Sequence, residues 1–140
     1  MTGFMEAAPD PPRDQTLMKV WVVEDNFVNR ELLTLAVRAG GHDVVATGDA
    51  AGALGLLSEA PPDLVLLDLS LPDMDGAALM LRLRQEPQLR ATRMVAITTY
   101  TYRGDRARLL AQGFDRVITK PINTRTLLFD IGIREREEAG

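Results

Sequence analysis

The stretch from Leu64 to Gly76 reads Leu-Val-Leu-Leu-Asp-Leu-Ser-Leu-Pro-Asp-Met-Asp-Gly, and the fold of the chain is organised around it. Four apolar residues after Pro61-Pro62 predict a strand buried on both faces, because a half-exposed strand would alternate polar and apolar residues. Asp68 follows at the carboxyl end, where open parallel sheets bind their ligands. The residues from Pro72 to Gly76 predict a turn, and a leucine-rich helix follows. Asp68 is therefore predicted to lie at a strand-to-helix edge beside a loop.

Four further strands and five helices are predicted around this one. The strands cover about 20–23, 44–46, 94–97 and 114–119, and the helices cover about 28–39, 50–57, 77–86 and 105–112, with a last helix after 123 or 124. Each strand is followed by a helix over a short connection. Such alternation is typical of an α/β fold with a parallel sheet and helices on both faces, because right-handed crossovers join parallel strands.

Capping residues and apolar spacing predict how these helices begin and which face they bury. Asn26 and Asp49 are predicted to cap the first and second helices, and Asn123 or Thr124 the last one. Apolar residues at helical spacing predict the buried faces. They are Val28, Leu32, Leu35, Ala36 and Ala39 in the first helix, and Leu127, Leu128 and Ile131 in the last.

Length and composition fit one domain. Of the 140 residues we assign 18–136 to a folded domain, 1–17 to a disordered leader and 137–140 to a tail. The absence of cysteine excludes disulfides, thiolate metal sites and a cysteine nucleophile. The net charge of -4 argues against a DNA-binding face, and no window is apolar enough to span a membrane. The leader lacks the features of a signal peptide. We therefore expect a cytoplasmic domain that binds neither nucleic acid nor membrane.

Chemically useful side chains stand at the ends of four of the five strands. They are Glu24-Asp25, Asp68, Thr98 and Lys120. Strand ends in one parallel sheet point to one edge, so these groups should meet in space. Three crowded carboxylates would raise the pKa of at least one of them unless a divalent cation neutralises the charge, and oxygen ligands suit magnesium.

This set predicts a phosphoryl acceptor. Phosphoryl transfer needs in-line positioning and positive charge around the phosphoryl oxygens, which a magnesium ion, Lys120 and the Thr98 hydroxyl can supply. Asp68 as a carboxylate nucleophile would form an acyl phosphate. Taken singly, Glu24 and Asp25 could instead be an acidic cluster that interacts favourably with a helix N-terminus.

The chain from about Met18 to Arg136 resembles the receiver domain of bacterial two-component response regulators. The matching features are four, in order: Val23-Glu24-Asp25-Asn26, the stretch from Leu66 to Gly76, Thr98 at a strand end, and Thr119-Lys120-Pro121. The segment from Thr98 to Asp105 looks most like single-domain receivers and those attached to hybrid kinases. The resemblance implies a flavodoxin-like (βα)5 fold with strand order 2-1-3-4-5.

The resemblance also implies roles for single residues. Asp68 would accept phosphate from a phosphohistidine on a histidine kinase or a histidine phosphotransfer protein. Asp25 and Asp68 would bind Mg2+ directly, Glu24 mostly through water, and the backbone carbonyl of Ser70 would complete the protein ligands. Thr98 and Lys120 would bind the phosphoryl group. The domain would then signal through a downstream protein partner rather than act as an enzyme.

One position departs from the family pattern. The family usually has tyrosine or phenylalanine three residues before the lysine, and this chain has Val117. The usual coupling of threonine and aromatic ring cannot operate in that form. Tyr100 or Tyr102, in the loop after Thr98, is a hypothetical substitute for the ring.

Two other functions stay open. The first is an adaptor with the same fold that does not depend on phosphorylation, which Val117 permits. The second is a phosphohydrolase with an aspartyl nucleophile, although such enzymes usually have an aspartate two residues after the nucleophile, where this chain has Ser70. His42, the one histidine, is predicted to be exposed in a loop after Gly40-Gly41.

Overall fold

A computed structural model describes residues 17–99 and 104–133. Within these residues, five strands alternate with five α-helices. The strands are β1 (Lys19–Val23), β2 (Asp43–Thr47), β3 (Leu64–Asp68), β4 (Arg93–Thr98) and β5 (Arg116–Thr119). The helices are α1 (Phe27–Ala39), α2 (Ala50–Gly55), α3 (Gly76–Arg84), α4 (Asp105–Gln112) and α5 (Leu127–Asp130). No helix among the described residues is long and apolar enough to cross a membrane.

The strands form one parallel sheet in the order β2-β1-β3-β4-β5. This arrangement confirms the predicted α/β class and the strand order 2-1-3-4-5. The strand β3 lies at the centre, where Leu67 pairs with Val23 on one side and Asp68 pairs with Ile97 on the other. Every residue of β3 is buried, as its uninterrupted apolar run predicts.

Helices cover both faces of the sheet and create two apolar cores. Alternate strand residues point to opposite faces, so Val65 packs in the core under α2, α3 and α4, whereas Leu66 packs in the core under α1 and α5. Each fully buried leucine stabilises the fold by roughly 1.5–3 kcal/mol. The strands run parallel between these two cores, so their carboxyl ends lie along one edge of the sheet.

The predicted buried face of α1 is wrong except at Ala36, which packs against the core as predicted. Val28, Leu32 and Leu35 are exposed, while Leu33 and Val37 are fully buried. Both sets recur at helical spacing, so periodicity alone could not choose between them. The rotation of α1 depends on contacts distant in the sequence, because Leu33 and Val37 join the core that α5 also lines.

Two further predictions are wrong, one for the exposure of His42 and one for the start of the last helix. His42 is buried rather than exposed, because the chain turns at Gly41 (φ 93°) and brings the Nδ1 atom of His42 within 3.0 Å of the Met18 N–H group, from which it accepts a hydrogen bond. The helix α5 begins only after Thr126, since the Asn123 side chain accepts from the Arg125 N–H group at 3.0 Å and forms a separate turn.

Candidate functional site

The carboxyl ends of three strands bring charged groups into one cluster. Glu24 follows β1, Asp68 ends β3 and Lys120 follows β5. The Nζ atom of Lys120 lies 3.1 Å from Glu24 Oε1 and 3.2 Å from Asp68 Oδ2. Asp25 joins from the loop after β1, and one carboxylate oxygen from each of the three acidic residues lies within 4.8 Å of the others. Residues far apart in the sequence therefore meet at this edge.

Burial differs sharply within the cluster. The exposed fraction is 0% for Glu24 and 2% for Asp68, and the side chain of Lys120 is 15% exposed. Asp25 is exposed. The open side of the cluster is therefore at Asp25, where a ligand can enter.

Backbone amides orient the two buried carboxylates. The Asn26 N–H group donates to Glu24 Oε2 at 3.0 Å, and the Ser70 N–H group donates to Asp68 Oδ1 at 3.0 Å. Asn26 also caps α1, as predicted, because its side chain accepts from the Asn29 N–H group at 2.9 Å. Asp68 thus has one oxygen held by the backbone and the other facing Lys120.

Gly76 lets α3 begin directly beside Asp68. A Cβ atom at this position would overlap the carbonyl oxygen of Asp68 and the Cα atom of Leu69. The Gly76 N–H group donates to the Leu69 carbonyl at 3.1 Å, which ties the start of the helix to the end of β3. Only glycine permits this approach, so the turn predicted from 72 to 76 also helps to position Asp68.

The cluster carries more negative charge than one lysine can balance. Burial raises the pKa of Glu24 from 4.5 to about 7, against the hydrogen bonds from Asn26 and Lys120 that lower it, and the nearby Asp68 raises it further. Burial alone would lower the pKa of Lys120, but hydrogen bonding and charge attraction from Glu24 and Asp68 raise it above 10.5. A cation at the open side would relieve the repulsion.

The donor set fits a hard divalent cation. The three converging groups are all carboxylates, and oxygen ligands with room for water suit Mg2+. Glu24 Oε1 is buried and has no hydrogen-bond partner among the described residues, although it lies 3.1 Å from Lys120 Nζ. A buried carboxylate oxygen without a hydrogen bond is costly, and a metal or its bound water would satisfy it.

The family comparison agrees with this geometry. Residues 20–131 match the family model described as the response regulator receiver domain. The chain belongs to this family. It is a receiver domain of the kind found in two-component response regulators.

Known proteins similar to this receiver domain come from several bacteria. The polar-differentiation response regulator DivK of Brucella anthropi is 34% identical over 104 residues, which cover 74% of this chain and 85% of DivK. The chemotaxis response regulator CheY4 of Vibrio cholerae superposes with a TM-score of 0.76 at 27% identity, covering 81% of this chain and 95% of CheY4.

A third similar structure contains a metal. The receiver domain of the sensor histidine kinase PA1611 from Pseudomonas aeruginosa has a TM-score of 0.70 at 27% identity, covering 80% of this chain and 92% of that domain. In that protein a magnesium ion is coordinated in the active-site cleft.

Thr98 lies at the same edge of the receiver domain as the charged cluster. It ends β4, is 7% exposed and pairs with Thr119 of β5. Its carbonyl oxygen accepts the Lys120 N–H group at 2.9 Å. Thr98 is thus the residue through which β4 contacts the backbone that carries the lysine.

Val117, which stands where the family usually has an aromatic residue, is a buried core position. Val117 is 4% exposed and packs in the core under α2, α3 and α4, with Met80 and Leu109. Its side chain fills the core and offers no ring that could swing between two positions. The hypothesis about Tyr100 and Tyr102 falls on residues outside the described ranges.

Two residues beside the cluster were not found from the sequence. Arg30 donates to the backbone carbonyls of Glu24 and Asp25, and the Asp73 carboxylate accepts from two amides at the start of α2. Arg30 follows Asp25 by five residues on α1, and Asp73 belongs to the predicted turn. Arg30 carries no sequence signal that distinguishes it from an ordinary charge on a helix. Asp73 lies in the stretch that matches the family, but nothing in that stretch indicates a contact with α2.

Proposed function

We propose that this receiver domain is a phosphoacceptor of a two-component phosphorelay, which takes a phosphoryl group on Asp68 with the help of Mg2+. The observation that carries the proposal is the position of Asp68. Its carboxylate ends the central strand, 3.2 Å from the Lys120 ammonium and within a cluster of three acidic groups that fits a divalent cation. No purely structural role requires this arrangement at an exposed edge.

The proposed transfer exchanges one bond to phosphorus for another. The bond between phosphorus and the imidazole nitrogen of a phosphohistidine breaks, and a bond forms between phosphorus and a carboxylate oxygen of Asp68. The imidazole leaves with the electron pair and takes up a proton. The donor is a histidine kinase or a histidine phosphotransfer protein, and the product on this chain is an acyl phosphate.

Each residue of the cluster has a part in this proposal. Asp25 and Asp68 would hold Mg2+ directly, Glu24 would hold it through water, and the backbone carbonyl of Ser70 would complete the set. When bound, the ion neutralises the carboxylates and the phosphoryl oxygens. Lys120 already faces Asp68 and would pair with the incoming phosphoryl group, and the Thr98 hydroxyl would donate a hydrogen bond to it.

We further propose that the domain, residues 18–136, works in the cytoplasm and signals through protein contacts rather than by catalytic turnover. An apolar stripe on α1 supports a protein as partner. Val28, Leu32 and Leu35 are exposed at helical spacing, and the helix begins two residues after Asp25. An exposed apolar patch beside a reactive site is typical of a surface that contacts another protein.

Treatment with acetyl phosphate and Mg2+ tests the acceptor. We expect intact-mass spectrometry to show one added phosphoryl group on the wild type and on the control Asp43→Asn, whose aspartate is exposed at the start of β2. Asp68→Asn should gain none, and a chelator should abolish the signal. Phosphate on Asp68→Asn would contradict the assignment. A wild type that accepts none would favour the phosphorylation-independent adaptor, which Val117 permits.

A further inference from the structure

The loop after β1, which carries Glu24 and Asp25, and the loop after β3, which follows Asp68, are called here the acidic loops. Both contact a third segment, residues 48–51, which joins β2 to α2 and includes the first two residues of α2. We call this segment the bracing turn. It contains Gly48, Asp49, Ala50 and Ala51, and it supplies no member of the acidic cluster. Two charged side chains link it to the loops that hold the carboxylates.

Arg30 holds the loop after β1. Its Nη1 atom donates to the carbonyl oxygen of Glu24 at 2.8 Å and to that of Asp25 at 3.3 Å. The guanidinium carbon also lies 5.6 Å from the centre of the Phe27 ring, a distance that permits a cation–π interaction. One side chain therefore fixes the backbone of two consecutive acidic residues.

The bracing turn packs against this guanidinium. A Cβ atom on Gly48 would lie 3.1 Å from Arg30 Nη1 and 3.9 Å from the carbonyl oxygen of Glu24. The absence of a side chain at 48 thus leaves the space that Arg30 fills. The Glu24 N–H group donates to the Thr47 carbonyl at 3.0 Å, just before the turn, so the loop after β1 is held on both sides.

Asp73 holds the second loop, which follows the acceptor. Its Oδ1 atom accepts from the Ala50 N–H group at 2.9 Å, and its Oδ2 atom accepts from the Ala51 N–H group at 3.0 Å. These backbone hydrogen bonds hold the pKa of Asp73 below its usual value. Asp73 lies in the same loop as Ser70, whose N–H group donates to Asp68 Oδ1.

We propose that Arg30 and Asp73 are positioning residues, which hold the two acidic loops against the bracing turn and so keep the carboxylates at metal-binding distance. The carboxylates repel one another, and without these contacts the loops would relax apart before a cation arrives. Preorganised ligands bind a metal more tightly because they lose less conformational entropy on binding. The inference rests on the proposed function, because it assumes that the cluster binds Mg2+.

Mg2+ titration by isothermal calorimetry tests the inference. We expect Arg30→Met and Asp73→Ala each to weaken Mg2+ binding about tenfold, as loss of an outer-shell contact to metal ligands does in other sites. Arg30→Lys and Asp73→Asn keep part of each contact and should fall between these variants and the wild type. In the metal-free protein, amide NMR should show the Asn26 signal shifting in Arg30→Met and the Ser70 signal shifting in Asp73→Ala.

Two control variants separate positioning from general stability. Arg38 is on the same helix as Arg30 and donates to the Val44 carbonyl at 3.2 Å, away from the acidic loops. Asp63 accepts from the Lys19 N–H group at 2.8 Å at the opposite, amino edge of the sheet. We expect Arg38→Met and Asp63→Ala to lower the urea midpoint while leaving the Mg2+ dissociation constant within about twofold of the wild type, since neither side chain holds an acidic loop.

The outcomes are distinguishable. Wild-type Mg2+ affinity in Arg30→Met and Asp73→Ala, or equal weakening in the controls, would overturn the positioning role while leaving the phosphoacceptor intact. If the wild type accepts phosphate and binds Mg2+, the proposed function stands whatever these variants do. A wild type that binds no Mg2+ would overturn both. The milder variants Arg30→Lys and Asp73→Asn keep the test decisive if a larger change prevents folding.

Discussion

The two edges of the sheet are built in opposite ways. At the carboxyl edge, Glu24, Asp25 and Asp68 share one lysine, and a buried oxygen of Glu24 lacks a hydrogen bond within the described ranges. At the amino edge, polar side chains near the strand starts are paired with backbone groups. The sheet is the same at both ends, so the difference lies in the loops.

Asp63 and Thr92 show the pattern at the amino edge. Asp63 Oδ2 accepts from the Lys19 N–H group at 2.8 Å, while the Asp63 carbonyl accepts from the Arg93 N–H group at 3.0 Å. The Thr92 hydroxyl donates to the Pro62 carbonyl at 2.8 Å. These bonds tie the starts of β1, β3 and β4 together.

Arg84 connects the same edge to the segments around it. Its Nη1 atom donates to the carbonyls of Arg90 (3.3 Å) and Thr92 (2.6 Å), and its Nη2 atom donates to the Gly113 carbonyl (3.3 Å) and to Asp115 Oδ2 (3.0 Å). One guanidinium therefore satisfies acceptors from two loops. The comparison teaches that one edge is arranged for stability, whereas the other keeps an unbalanced charge that a ligand can neutralise.

The largest effect should come from titrating the carboxyl edge. The pKa of Glu24 is about 7 in the folded protein against 4.5 ordinarily, so the folded form binds this proton more tightly than the unfolded form. Metal-free protein should lose stability as the pH rises from about 4.5 to about 7, by on the order of 3 kcal/mol. Urea unfolding across this pH range, with and without Mg2+, measures the loss, and saturating Mg2+ should offset it above pH 7.

Glu24→Gln should flatten this pH dependence and stabilise the metal-free protein at pH 8, while weakening its binding of Mg2+. The control is Glu31→Gln, which changes an exposed glutamate on α1 and should leave the dependence intact. The contribution of Lys120 does not change in this window, because its pKa lies above 10.5. If the unfolding free energy of Glu24→Gln fell with pH as steeply as that of the wild type, Glu24 would not be the source of the pH dependence at the carboxyl edge.

Removing the arginine at the amino edge should have the next largest effect. Arg84→Met loses four hydrogen bonds from a charged donor, and we expect a loss of about 2 kcal/mol in unfolding free energy, with unchanged Mg2+ affinity. Arg82→Met is the matched control on the same helix, since Arg82 forms one exposed pair with Glu86 at 2.6 Å. Arg82→Met should lower the unfolding free energy by about 0.5 kcal/mol. Equal losses in the two variants would show that the Arg84 network contributes nothing special.

The smallest expected change in unfolding free energy comes from replacing either of two buried threonines, Thr92 and Thr34. Thr92→Val leaves the buried Pro62 carbonyl without its hydroxyl donor and should cost about 1 kcal/mol. The hydroxyl of Thr34 on α1 is equally buried but has no hydrogen-bond partner among the described residues. Thr34→Val should therefore be neutral or stabilising in chemical denaturation. The opposite ranking of the two variants would contradict this account of the amino edge.

The strand pattern and the site could be predicted because their signals are local. The apolar run before Asp68 marks a strand without reference to any partner, and parallel topology follows from the short connections. Once the strands are parallel, side chains at their carboxyl ends must share an edge, so Glu24, Asp68 and Lys120 were found together. The caps Asn26 and Asp49 also follow from local chemistry.

The failures involve choices between locally equivalent options. On α1 two apolar stripes compete, and packing of Leu33 and Val37 into the core shared with α5 selects one of them. His42 follows two glycines, which suggest a loop. The positive φ at Gly41 instead turns the chain so that His42 accepts a hydrogen bond from the Met18 N–H group. Arg30 and Asp73 look like surface charges until the loops they hold are placed side by side.

The sequence by itself therefore determined the alternation of strands and helices, the order of the sheet through family resemblance, and the residues at its carboxyl edge. Only the tertiary structure decided which face of α1 is buried, how Glu24 acquires a raised pKa and which side chains hold the acidic loops. Periodicity and turn chemistry act over a few residues. Helix rotation, desolvation and loop contacts instead arise from groups that are distant in the chain and meet only when it folds.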